Sequence, residues 1–135
     1  MVIFTITQIC VILFTTSFKF SIISSNSMNP TLVKGDIIIW TPSIIEDINK
    51  DDIVVYKSYI KWPNQKLIAH RVTNVKSDKI SGKLMLETKG DANGWIDQDN
   101  PNINVPYIKD DFIQGKAVCF NNQPLKININ SIYMI

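Results

Sequence analysis

The chain is poor in the residues that bind metals or link distant segments. Its 135 residues include one histidine, His70, and two cysteines, Cys10 and Cys119. A structural zinc site needs about four nitrogen or sulfur ligands, so we predict no metal site and no cofactor. Cys10 lies in an apolar run far from Cys119, and both are predicted to be unpaired apolar residues, as free cysteines commonly are.

Charge is also scarce. The formal net charge is +2, only 19% of the residues are charged, and all but one of the 14 basic residues are lysines. Domains that bind nucleic acid usually carry clustered basic residues, with aromatic residues among them where single strands are bound. Because this sequence has no such cluster, we predict no nucleic-acid partner.

The first part of the chain lacks almost all charge, since Lys19 is the only charged residue before Lys34. Residues 2–18 are mostly apolar, and a membrane-spanning helix needs roughly 20 such residues, with about 17 as the lower bound. We therefore predict an uncleaved single transmembrane anchor at residues 1–20. The alternative is a cleaved signal peptide, but the N-terminus has no basic segment, and cleavage at Ser24 or Ser25 would cut into the motif described below.

Helical periodicity is nearly absent after the anchor. Short β-branched runs alternate with turn residues, which is typical of strands joined by loops. The predicted fold is therefore mostly β, with residues 21–35 as a turn and linker and residues 36–135 as a β domain. A long loop at 90–106 has no hydrophobic period, and loops of that length are usually functional or disordered. All predicted strands lie beyond residue 35, at 36–40, 52–58, 67–75, 83–89, 116–120 and 125–129.

The stretch SSNSMNPTLVKGDIII, residues 24–39, follows the predicted anchor directly. Serine, asparagine and proline all favour turns, so this segment can be an ordinary bend. Alternatively, a turn of fixed geometry can present the hydroxyl of Ser27 outward as a nucleophile, with nearby backbone N–H groups free to bind an oxyanion. Ser27 alone does not decide between these interpretations.

A histidine and an acidic loop are the other candidates for chemistry. In LIAHRV, strand alternation places His70 on the same face as Ile68 and Val72. Such a histidine is usually structural, but it is the only histidine in the chain, so it must be the base if the chain contains a serine–histidine pair. The loop TKGDANGWIDQDNP contains Asp91, Asp97 and Asp99.

The acidic loop has three interpretations. It can be a solvated turn, or one of its carboxylates can orient the ring of His70. It can also be a calcium loop, but an EF-hand requires glycine at the sixth position. Counted from Asp91, the glycine here is at the fourth.

Together these motifs resemble the type I signal peptidases. The string SNSMNPTL followed by GD, then HRV, then KGDAN with a further aspartate six residues after Asp91, is similar to the archaeal and endoplasmic-reticulum branch of that family. The resemblance extends over roughly residues 20–120. It implies a signal-peptidase-like β domain behind one N-terminal transmembrane helix. It also implies a histidine where the bacterial branch uses lysine as the base.

The resemblance implies a role for each matching residue. Ser27 is expected to be the nucleophile and His70 the general base, with Asp97 orienting the imidazole and Asp91 supporting it. The oxyanion donors are expected to be the backbone N–H of Ser27 and the hydroxyl of Ser25. Met28 and Ile68 are expected to line the substrate site. One departure is Ala92, where the family loop usually has asparagine, which puts side-chain contacts from that position in doubt.

The resemblance further implies substrates, partners and a location. The substrate would be the signal peptide of an exported preprotein, bound as an added strand beside DIIIW and LIAHRV. The lipid membrane is an expected partner, and accessory subunits or the translocon are further candidates. The expected location is the cell membrane or an endoplasmic-reticulum-type membrane, with a single span and the catalytic domain on the extracytoplasmic side.

Two other functions remain open from the sequence. One is a membrane-anchored, non-catalytic β-domain subunit. The other is a repressor-like self-cleaving protease, although such proteins carry a helix-turn-helix module and a lysine base, and this chain has neither. The distances between Ser27, His70 and the two loop aspartates should distinguish an enzyme from a binding subunit.

Overall fold

The fold is built from short antiparallel strands, which confirms the prediction of a mostly β protein. The computed structural model describes residue 8 and residues 17–60 and 65–132. Short 3-10 helices lie at Ile45–Asp47, Asp97–Asp99 and Asp110–Phe112, and a single helical turn, α1, spans Ile129–Ile132. The strands in this part of the chain are β1 (Lys19–Ile22), β2 (Asp36–Pro42), β3 (Ile53–Lys57), β4 (Leu67–Ser77), β5 (Leu84–Lys89), β6 (Ile113–Ala117), β7 (Cys119–Phe120), β8 (Gln123–Pro124) and β9 (Lys126–Asn128).

One sheet contains most of these strands, in the order β1-β2-β6-β3-β4-β5. Strand β9 pairs with β2 beside β6, and β7 and β8 form a separate small hairpin. The predicted strand at 116–120 differs most from the structure. Strand β6 begins earlier, at Ile113, and ends at Ala117, and Cys119 begins a separate strand, β7. The other predicted runs agree with β2, β3, β4, β5 and β9 to within a few residues.

The main sheet buries apolar side chains on both faces. In β3, Val54 and Tyr56 contribute to one cluster, and Ile53 and Val55 contribute to the other. Successive side chains of a strand point to opposite faces, so a strand buried on both sides reads as a continuous apolar run, as IVVY does. This central strand pairs with β4 on one edge and β6 on the other, which fixes the position of the strand that carries His70.

The expectation that every strand lies beyond residue 35 is wrong for β1. Its four residues pair with β2, and the indole Nε1 of Trp40 donates a hydrogen bond to Ser21 Oγ at 2.9 Å. Phe20 and Ile22 on its outer face are exposed. Its sequence, KFSI, alternates polar and apolar residues, but only over four positions, the shortest run that indicates a strand, and the apolar residues are the exposed ones. In the sequence it therefore reads as a continuation of the preceding apolar run.

The predicted anchor lies almost entirely outside the described residues. Of residues 1–20 the structure describes residue 8 and residues 17–20, and Lys19 and Phe20 belong to β1. No helix within the described ranges combines the length and hydropathy needed to cross a membrane. The anchor therefore stays a prediction.

Candidate active site

Ser27 lies on the turn between β1 and β2, and its apolar neighbours hold that turn in place. Met28 and Leu32 are fully buried in one of the two apolar clusters. The backbone N–H of Leu32 donates to the carbonyl of Met28 at 3.0 Å, and the N–H of Lys34 donates to Asn26 Oδ1 at 2.9 Å. Because two side chains anchor the turn in the core, the half-buried Ser27 has a fixed position at the surface.

The structure brings Ser27, His70 and Asp97 into one chain of contacts. Ser27 Oγ lies 3.0 Å from His70 Nε2, and His70 Nδ1 lies 2.6 Å from Asp97 Oδ2. His70 and Asp97 are both buried, with 9% and 7% of their surface exposed. These distances fall within hydrogen-bond reach, which is the geometric condition for a nucleophile, its base and the group that orients the base.

Asp97 is held by two residues that the sequence did not identify. Thr88 Oγ1 donates to Asp97 Oδ2 at 2.7 Å, and Tyr56 OH donates to the same oxygen at 3.3 Å. Burial and the adjacent Asp97 carboxylate raise the pKa of Tyr56 far above its ordinary value, so this phenol stays a donor. The only sequence signal for either residue is a polar group within an otherwise buried strand.

Ser25, an expected oxyanion donor, lies beside Ser27. Its hydroxyl is 3.2 Å from Ser27 Oγ. Within the described part of the chain, the backbone N–H of Ser27 donates no hydrogen bond. The hydroxyl of Ser25 and the backbone N–H of Ser27 are therefore two candidate donors near Ser27 Oγ, and their role as an oxyanion hole stays a prediction.

Asp91 is not brought to His70, and it makes a separate clamp. Its carboxylate accepts hydrogen bonds from Arg71 Nε at 2.8 Å, from Arg71 Nη2 at 2.8 Å and from Thr31 Oγ1 at 2.5 Å. Arg71 follows His70 on β4, and Thr31 ends the turn that carries Ser27. Asp91 therefore joins the strand that carries His70 to the turn that carries Ser27, and so holds the two elements in position.

The backbone of the loop that carries Asp91 also contacts the turn that carries Ser27. The N–H of Ala92 donates to the carbonyl of Ser27 at 2.9 Å, and the N–H of Asp91 lies 3.4 Å from Met28 Sδ. A Cβ atom built on Gly90 would lie only 2.5 Å from the carbonyl oxygen of Ser27. Glycine is therefore required at this position because the two backbones approach so closely.

An apolar cleft of about 340 Å³ opens beside Ser27. Met28 and Ile68, the two residues expected to line the substrate site, both line this cleft, together with Leu67 and Ala69 of β4. Met28 is buried, so it closes the floor of the cleft. Ile68 borders the cleft from the edge of β4.

One expectation about this cleft needs correction. DIIIW belongs to β2, which pairs with β1 on one edge and with β6 and β9 on the other. No edge of β2 is left for a substrate strand. Residues 21–25, which begin in β1, line the cleft together with residues of β4.

Comparison with known proteins gives the family. Residues 1–132 match the profile of the family described as "Signal peptidase, peptidase S26". The chain belongs to this signal peptidase family. The resemblance drawn from the serine, histidine and aspartate motifs is thereby confirmed.

A curated relative agrees with the branch of the family that the motifs indicated. The chain is 36% identical over 78 residues to the "Signal peptidase complex catalytic subunit SEC11" of Lachancea thermotolerans. The match covers 56% of this chain and 43% of that relative. The aligned part of this chain therefore spans less than half of the relative's length.

The departure from the signal peptidase loop pattern concerns an exposed position. The side chain of Ala92 is exposed, and the contact made at this position comes from its backbone N–H. An alanine can make that contact as well as an asparagine, because every residue except proline carries the same donor. The substitution therefore leaves the contact between loop and turn intact.

A second tie holds the turn that carries Ser27. Lys126 on β9 donates from Nζ to the carbonyl of Thr31 at 3.0 Å and to Asp36 Oδ2 at 2.9 Å. The Asp36 side chain is fully buried, and its Oδ2 also accepts the backbone N–H of Val33 at 3.0 Å. The aspartate of the GD motif thus links the turn to a strand near the C-terminus.

The Asp91 clamp should make stability depend on pH. Burial acts to raise the pKa of Asp91, but hydrogen bonds from Arg71 and Thr31 outweigh burial and leave the pKa below its ordinary value. A carboxyl group whose pKa is lowered by folding stabilises the protein above its unfolded pKa, about 3.9 for aspartate. That contribution is lost as the pH falls through the folded pKa.

We therefore expect Asp91→Asn to reduce the loss of thermal stability between pH 6 and pH 3. The measurement is the unfolding temperature of the full chain in detergent at both pH values. Asp99→Asn is the matched control, because Asp99 lies in the same loop and is exposed. Equal acid sensitivity in the wild type and the Asp91 variant would contradict the clamp.

Proposed function

We propose that the chain is a membrane-bound serine endopeptidase that removes N-terminal signal peptides from exported preproteins. The observation that carries the proposal is the contact chain from Ser27 Oγ through His70 to Asp97 Oδ2, with distances of 3.0 Å and 2.6 Å. This series of contacts ends at Ser27, beside the apolar cleft between residues 21–25 and the edge of β4. Membership of the signal peptidase family and the name of the curated relative support the same activity.

In the proposed reaction, Ser27 Oγ attacks the carbonyl carbon of the scissile bond while His70 Nε2 accepts its proton. The oxyanion that forms is stabilised by the backbone N–H of Ser27 and the hydroxyl of Ser25. His70 then gives the proton to the leaving amine as the C–N bond breaks, which leaves an ester on Ser27. Water attacks this ester with His70 again as base, and the signal peptide leaves with a new carboxyl group.

Asp97 supports the base in both steps. Its Oδ2 accepts the Nδ1 proton of His70, which leaves Nε2 free to take the serine proton. It also stabilises the positive charge that the imidazole acquires. Thr88 and Tyr56 hold this carboxylate in place through their hydroxyl groups, so we assign both as positioning residues.

The apolar cleft is the proposed site for the signal peptide. An extended peptide can add as a strand beside the edge of β4, with alternate side chains entering pockets. Small residues at the first and third positions before the cut suit this cleft, because Met28 and Ala69 bring its wall close to Ser27. An anchor in the membrane would place the enzyme where such peptides emerge and raise the effective concentration of substrate.

The location and assembly follow from the same proposal. We place the enzyme in a cell membrane or an endoplasmic-reticulum-type membrane, as a single-pass protein with its β domain on the extracytoplasmic side. The curated relative is named as the catalytic subunit of a complex. We therefore include accessory subunits, together with the translocon, among its partners.

The test uses the full chain in detergent and one purified preprotein. We expect a single cut, identified by mass spectrometry, after a small residue at the end of the signal peptide. A matched preprotein with tryptophan at that residue should be cut at least about 100-fold more slowly, because a pocket shaped for a small group excludes it. No cleavage would favour a non-catalytic binding subunit, and cleavage that ignores this residue would contradict the removal of signal peptides at a small residue.

A further inference from the structure

The edge of β4 separates two cavities. Strand β4 pairs with β3 from Leu67 to Arg71, whereas it pairs with β5 only from Arg71 onward. Within the described ranges, no strand pairs with the second edge of residues 67–70. The backbone of this segment is therefore open for an added strand, and the two sides of that strand would face different surroundings.

The two cavities lie on opposite faces of this edge. The apolar cleft of about 340 Å³ reaches Val55, on the face of β3 that packs with Ala69, whereas the second cavity reaches Tyr56, on the face that packs with Ile68. The second cavity, of about 200 Å³, is lined by Ile68 and His70 but not by Leu67 or Ala69. Because side chains alternate along a strand, the second cavity lies on the face to which Ile68 points.

A peptide added to this edge would present its side chains in the same alternation. If the residues one and three positions before the cut enter the apolar cleft, the residue between them must point to the opposite face. We propose that the second cavity is the binding subsite for this middle residue, two positions before the scissile bond. This inference rests on the proposed function and extends it to a substrate position with no role assigned so far.

The chemistry of the cavity indicates which side chains it accepts. Three carboxamide side chains, those of Asn93, Asn100 and Asn104, line it together with the apolar residues Ile103 and Val105. In the described part of the chain, the side chains of Asn93 and Asn104 make no hydrogen bond. They are available to a polar, uncharged substrate side chain such as glutamine.

A carboxylate at this substrate position should be disfavoured. Asp97 also lines the cavity, and two carboxylates brought close together in a partly buried site repel each other. The subsite should therefore prefer glutamine over glycine, which fills none of the cavity, and glycine over glutamate. This order differs from that of the neighbouring positions, where size alone decides.

The test uses three peptides that differ only at the middle position, carrying glutamine, glycine or glutamate. The full chain in detergent is compared with Asn104→Phe, which fills the cavity from its exposed rim. In the variant, the ratio of kcat/KM for the glutamine peptide to that for the glycine peptide should fall on the order of tenfold. Asn102→Phe is the matched control, because Asn102 is exposed in the same loop but does not line the cavity.

The outcomes separate this inference from the proposed function. A ratio unchanged in Asn104→Phe, or lowered equally in Asn102→Phe, would overturn the subsite while leaving the peptidase intact. A wild-type enzyme that cuts all three peptides equally would also overturn the subsite but not the peptidase. If the wild type cuts none of them, or if the Ser27→Ala variant cuts them as fast as the wild type, the proposed function fails and the subsite fails with it.

Discussion

Replacing Ser27 with alanine should reduce cleavage by on the order of 10⁶-fold, the loss seen when the nucleophile of a serine protease is removed. The reason is that Ser27 Oγ is the atom that contacts His70 Nε2, and alanine has no group there that can form the ester. The fold should survive, because the turn is held by Met28 and Leu32 in the core rather than by the serine hydroxyl. The measurement is single-turnover processing of a preprotein, with the unfolding temperature as a check on folding.

Ser25→Ala is the graded comparison for this experiment. It removes only the hydroxyl 3.2 Å from Ser27 Oγ, so its cost should be that of one oxyanion donor, on the order of 10²–10³ in kcat. A Ser27→Ala variant that processes substrate like the wild type would end the serine endopeptidase proposal. Equal losses in the two variants would instead mean that the hydroxyl of Ser25 has a larger part in the chemistry than proposed.

Asp97→Asn should have the next largest effect, a loss of roughly 10⁴ in turnover, by analogy with the same change in another catalytic triad. An amide at this position can donate to His70 Nδ1 and so stabilise the tautomer with its proton on Nε2. That tautomer cannot accept the serine proton. The measurement is kcat for a short peptide, with the unfolding temperature measured in parallel because Asp97 is buried.

Asp91→Asn distinguishes the two loop aspartates. Because Asp91 contacts Arg71 and Thr31 instead of His70, its replacement should lower activity less than Asp97→Asn and should lower stability at neutral pH. Asp99→Asn, in the same loop, should change neither. If Asp91→Asn keeps the wild-type unfolding temperature but loses more activity than Asp97→Asn, the two roles must be exchanged.

The parts of the fold that were predicted correctly depend on local pattern. The run IVVY is apolar on both faces and β-branched, so it indicates a buried strand wherever it lies in the sheet. The contacts that were missed depend on how the loop folds rather than on local pattern, and one of them joins Tyr56 to Asp97 across 41 residues. Thr88 reaches Asp97 only because the loop folds back over β5, and no periodicity in the sequence encodes that return.

The site shows the same division. Motif order and residue type were enough to select Ser27, His70 and Asp97, and a resemblance to a known family supplied their expected roles. The function of Asp91 could not be assigned in this way, because a carboxylate six residues before Asp97 could contact either the histidine or the arginine beside it. Only the fold shows that Arg71 points to Asp91 while His70 points to Asp97.

The ties on the nucleophile turn have a consequence for how the protein folds. Thr31 contacts Asp91 across 60 residues, and Lys126 contacts Asp36 and Thr31 across 90 and 95 residues. Contacts between distant residues form late, because long loops must close before they are made. While β9 is still inside the ribosome, the nascent chain would therefore carry Ser27 on a turn that lacks the contacts from Lys126. We expect the turn that carries Ser27 to reach its final position only after β9 has been synthesised.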